Sequence, residues 1–113
     1  MIKIVAKATF VGKDKREREI EVYSPRYNAD DVDVYPLLDR ACREHAWMVD
    51  RDGEYTVIDF DLGGANGPHE GDHTYEVDTS IFYRTDYKKS EVRHMLSRIV
   101  HSTVSAIRSE ITK

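Results

Sequence analysis

Four carboxylates fall at spacings that could hold a cation or meet a basic surface. Asp59 and Asp61 stand two apart in the stretch 54–62, and Glu76 and Asp78 stand two apart in the stretch 75–83. Side chains alternate along a β-strand, so on the first stretch Thr56, Ile58, Phe60 and Leu62 share one face and the two aspartates share the other. On the second, Tyr75, Val77, Ile81 and Tyr83 make the apolar face and leave Glu76 and Asp78 opposite. If the two strands pair with apolar faces together, the four acids become neighbours, with no Lys or Arg expected among them. Like charges across a strand pair are destabilising, so such a set is either screened by water or kept because something positive binds there.

Two kinds of chemistry fit the set. Hard divalent cations take carboxylate oxygens and water, which would suit a metal-dependent phosphoester hydrolase acting at Asp59, Asp61, Glu76 and Asp78. The other is recognition of a basic protein surface by an acidic sheet face. The connection 63–72 is long for a hairpin and joins the recognition surface through His69, Glu70 and Asp72. His69 and His73 are four apart and raise a zinc reading, but the segment is a Gly/Pro loop without the cysteines that structural zinc sites usually recruit.

Other reactive types are weaker. Cys42 and His45 are three apart on an expected helix, yet Cys42 falls on the inward stripe, where a buried thiol is inert. His94, Arg98, His101, Ser105 and Arg108 line one face of the last helix and, with Lys88, Lys89 and Arg93, make a basic surface. Neither a phosphate-binding loop nor a serine nucleophile elbow is present. The reading therefore assigns no catalytic residue, no metal and no cofactor.

The elements that must position these groups follow from periodicity. Residues 2–11 alternate as a first strand, with Ile2, Ile4, Ala6, Ala8 and Phe10 on one face and Lys3 and Lys7 on the other. A turn at 12–15 leads into a second strand at 17–24, with Ile20 and Val22 inward. A helix is expected from Val34, capped by Asp33, with Pro36 in its first turn and Leu37, Leu38, Ala41, Cys42, His45, Met48 and Val49 as its inward stripe. After the two acidic strands, Asp86 can cap a helix over 87–111, where Val92, Met95, Leu96, Ile99, Val100, Thr103, Val104, Ala106 and Ile107 recur at three and four residues. The ridge Val100, Val104, Ile107 and Ile111 is expected on the first helix or on a second copy of the protein. The expected fold is one α+β domain over residues 1–113. It is a two-layer sandwich in ββαββα order, with a four-stranded, mostly antiparallel sheet and two helices on one face.

Composition bounds the function classes. The 113 residues are 40% hydrophobic and 34% charged, with a formal net charge of −4. That charge is uneven: residues 1–27 carry a net +3, residues 28–78 a net −11 and residues 79–113 a net +4. An acidic centre between mildly basic ends argues against direct nucleic-acid binding. A single cysteine favours a reducing compartment, no apolar run approaches a membrane span, and the N-terminus alternates like a strand rather than a signal peptide, so a cytoplasmic protein is expected. The leading expectation is a small non-enzymatic interaction module that binds a protein with a basic surface, as an inhibitor mimicking phosphate charge. The alternatives are the hydrolase above and a homodimeric structural component joined through the last helix.

Overall fold

The computed structural model describes residues 1–11, 14–29, 31–45, 57–62, 73–82 and 88–112, with backbone alone for 57–59 and 80–82. The elements are β1 (Ile2–Val11), β2 (Glu17–Tyr23), α1 (Val34–His45), β3 (Val57–Leu62), β4 (His73–Phe82) and α2 (Lys89–Ile111). The described residues form an α+β structure, with one four-stranded mixed sheet and two helices. Strand order is β2-β1-β4-β3. Two of the three pairings, β1 with β2 and β3 with β4, are antiparallel hairpins, and the central pairing of β1 with β4 is parallel.

The alternation of β1 explains its central place. Its even positions Ile2, Ile4, Ala6, Ala8 and Phe10 are at most 2% exposed and floor the core. The short side chains of Ala6 and Ala8 leave room for a helix close to the sheet. The helices bury Val34, Leu38, Ala41 and Cys42 from α1 and Val92, Met95, Leu96, Ile99, Val100, Thr103 and Ile107 from α2. The apolar members form a single cluster with the sheet residues, the arrangement expected of one hydrophobic core. The helices contact each other, and each sits over the hairpin it does not follow: α2 lies against β1 and β2, α1 against β3 and β4.

Side chains extend the ladder at two places. Ser24 is 4% exposed, and its Oγ accepts the Ile4 amide at 3.0 Å while donating to the Pro25 carbonyl at 2.9 Å. Buried Thr79 donates to the Lys7 carbonyl at 3.2 Å and ties the parallel pair. At the turn into β2, Asp14 accepts the Arg16 amide and a forked pair of bonds from Arg18, while Lys15 takes a positive φ of 63°. The Arg18 guanidinium holds the Asp14 carboxyl well below the usual range, at about 2.

Two details differ from the sequence reading. His73 is not part of the loop but the first residue of β4; its amide donates to the Met1 carbonyl at 2.9 Å, because β1 runs alongside. The residue at the N-cap of α2 is Lys88 in extended conformation, without a side-chain cap bond, so α2 starts two residues later than expected. Of the ridge on α2, Val100 and Ile107 are buried, whereas Ile111 at its end is 49% exposed. Met48, Val49, Asp86 and the loop 63–72 lie outside the described residues.

Candidate functional site

The outer face of the sheet can be laid out row by row from the register. One row crosses all four strands as Glu21, Lys7, Asp78 and Asp61. The row on one side is Tyr23, Val5 and Glu76, and that on the other is Glu19, Thr9, Ser80 and Asp59. Paired residues point to the same side of a sheet, so each row is a line of neighbours. The backbone thus brings Asp59, Asp61, Glu76 and Asp78 onto adjacent positions, with Asp61 directly opposite Asp78. His69, Glu70 and Asp72 lie outside the described residues.

The sequence reading expected no base among these acids, and here the structure corrects it. Lys7 enters the set because β1 runs parallel to β4, a neighbour that alternation alone does not name. Its Nζ stands 3.7 Å from Glu76 Oε1 and 3.8 Å from Glu21 Oε1. Lys7 thereby reaches across to Glu21 in its own row and diagonally to Glu76 in the next, and neither Asp61 nor Asp78 has an ion pair with a described residue. Both aspartates are exposed, while the side chain of Glu76 is 32% exposed.

The face is more acidic than the four predicted residues. Glu17, Glu19 and Glu21 of β2 alternate onto it as well, so six described carboxylates with Asp61, Glu76 and Asp78 meet only Lys3 and Lys7. Lys3 is drawn aside, its Nζ 5.8 Å from the centre of the Tyr23 ring in a cation–π contact. Tyr23 is itself 64% exposed, a large aromatic at the margin of an acidic field. Aromatic residues of this kind anchor protein interfaces.

Metal chemistry finds less support. Among the described residues no three His, Cys, Asp or Glu side chains come together in a group able to hold a metal ion. Asp61 and Asp78 are adjacent, but exposed carboxylates without a third ligand leave a hard cation to water.

A serine–histidine pair that the sequence reading missed joins the helices. Ser102 Oγ and His45 Nε2 share a 2.7 Å hydrogen bond between α2 and the last residue of α1. Glu44 Oε2 lies 3.8 Å from the same Nε2, so it does not orient the ring from the far nitrogen as a triad acid does. Ser102 stands in the middle of α2, where backbone amides are engaged in the helix and none is free to stabilise an oxyanion. The bond links two helices rather than activating a nucleophile. Cys42 is likewise inert, since burial pushes its thiol up to about 12, with a smaller contribution from Asp39. A cleft of about 350 Å³ at the start of α1, lined by Asp31, Val32, Asp33, Pro36, Leu37 and Glu110, is open to solvent.

No described helix is long and apolar enough to cross a membrane. No protein-family model, no curated protein and no solved structure matches this chain.

Proposed function

We propose that this chain is a non-enzymatic protein-interaction module whose outer sheet face engages a basic surface, and that it can inhibit a phosphate-binding partner by occupying its groove. The reading takes the fold as a two-layer sandwich in ββαββα order, with both helices behind the sheet and the acidic face bare in front. The observation that carries it is Asp61 opposite Asp78, neither ion-paired with a described residue even though Lys7 stands next to Asp78 in the row. Stability alone gives no reason to keep two like charges across a ladder, and a neutral residue at either position would relieve them. A partner bringing Lys or Arg to that row relieves them in the complex instead, with fast, salt-sensitive association.

The test is capture from a lysate of the native host by the tagged wild-type chain and by a D59K/D61K/E76K/D78K variant. Circular dichroism first establishes that the variant is folded. The wild type is expected to retain a partner that the variant does not, and to release it as salt rises. Equal capture by both chains refutes the proposal.

A further inference from the structure

The exposed side of α2 is a helix face that no described element covers, and its chemistry is the reverse of the sheet's. Arg93, His94, Arg98, His101 and Arg108 all lie exposed on it, preceded by exposed Lys88 and Lys89. Residues 88–112 carry five Lys or Arg against Glu91 and Glu110, a net +3. Neither Arg93 nor Arg98 is ion-paired with a described residue. The six described carboxylates and two lysines of the sheet face give a net −4. The two faces look away from each other, because the buried residues of α2 pack on the inner side of the same sheet. One molecule cannot satisfy itself across its own core.

We infer that the basic face of α2 docks on the acidic sheet face of a second copy of this chain, back to front. This rests on the reading above that the sheet face is an interaction surface, and it names the partner. The spacings agree: the row from Glu21 to Asp61 crosses three strand intervals, about 14 Å, and Arg98 to Arg108 rises about 15 Å along the helix. Arg98 and Arg108 can therefore reach opposite ends of one row. Tyr23, exposed beside that row, supplies an apolar contact. The footprint is small. Four strands at ~4.8 Å by about seven residues at ~3.3 Å cover roughly 440 Å² per copy, about half of a standard stable interface. The association is accordingly weak and electrostatic. Using two different patches, it leaves one of each kind free on every pair, so it grows with concentration rather than stopping at a symmetric dimer.

Sedimentation of the purified chain tests this directly. At about 20 mM salt the average mass is expected to rise with concentration, and at ~500 mM, where screening acts within a few ångströms, the association should weaken tenfold or more. D61K/E76K/D78K alone and R93E/R98E/R108E alone should each be monomeric, and mixing them should restore association. A wild-type chain that stays monomeric at about 20 mM salt up to ~100 μM overturns the inference, being well below the affinity of ordinary transient contacts. So does self-association indifferent to salt, which would point to an apolar contact through Ile111. Neither result touches lysate capture, which reads the broader proposal separately. If a triple variant fails to fold, the wild-type salt series alone decides.

Discussion

Replacing Asp61 by Asn removes one charge of the Asp61–Asp78 pair while keeping shape and β4 pairing, so the repulsion becomes measurable. Directly opposed side chains have Cβ atoms about 5 Å apart, and two exposed carboxylates near 5.5 Å in water repel by about 0.7 kcal/mol. At physiological ionic strength, with a screening length of about 8 Å, roughly 0.4 kcal/mol remains. For 113 residues the unfolding entropy is on the order of 0.24 kcal/mol per degree, so D61N should melt about 2–3 °C higher at low salt. The assay is thermal unfolding followed by circular dichroism at about 20 mM and ~500 mM NaCl, and the gain should fade at the higher salt. K7Q is the control of opposite sign. It strips the shared cation from Glu21 and Glu76, and two half-exposed pairs together are worth about 1 kcal/mol. A D61N chain no more stable than wild type at low salt, or one whose gain ignores salt, would mean that the two aspartates do not feel each other. The argument that they are kept for a partner would then lose its basis.

Two further tests concern the frame that holds the face. S24A leaves the buried Ile4 amide without its acceptor and should cost about 1–3 kcal/mol in urea unfolding; a loss under ~0.3 kcal/mol would show that the ladder reforms without the hydroxyl. Cys42 has a thiol raised from 9.0 to about 12 by burial, so folding favours its protonated form. Its contribution to stability is intact below pH 9 and is lost as pH rises from there toward 12. At pH 8 native Cys42 should alkylate about two to three orders of magnitude more slowly than in urea, and equal rates would place it at the surface.

Much of this architecture is written in alternation and helical period. The apolar even positions of β1, the inward pair Ile20 and Val22, and the stripe from Val92 to Ile107 each have one buried side, which fixes both element type and orientation. That Asp61 and Asp78 share a face follows from the same alternation, since a one-residue slip would turn Leu62 and Val77 over; their direct pairing does not, because a two-residue slip keeps both faces. What period cannot carry is the identity of a neighbour distant in sequence. Nothing in residues 2–11 says that β1 lies beside β4, so Lys7 among the acids and His73 beside Met1 were invisible. The Ser102–His45 bond was hidden too, because it depends on how two helices cross. Glu17, Glu19 and Glu21 alternate outward on β2, a strand whose place in the sheet periodicity does not give. Only the strand order shows that they continue the acidic field.

The exchange of helices between hairpins has a consequence for how the chain is made. Each hairpin receives its apolar cover from the other half, and β1 gains its second neighbour only when a strand some seventy positions downstream arrives. A nascent first half therefore holds Ile4, Ala6 and Phe10 without the lid they need. With β1 paired to β4 and covered by α2, the core of this topology can be completed only once the second half of the chain is in place. Contacts so distant in sequence belong to slow-folding topologies, in which an unfinished edge waits longest for its mate.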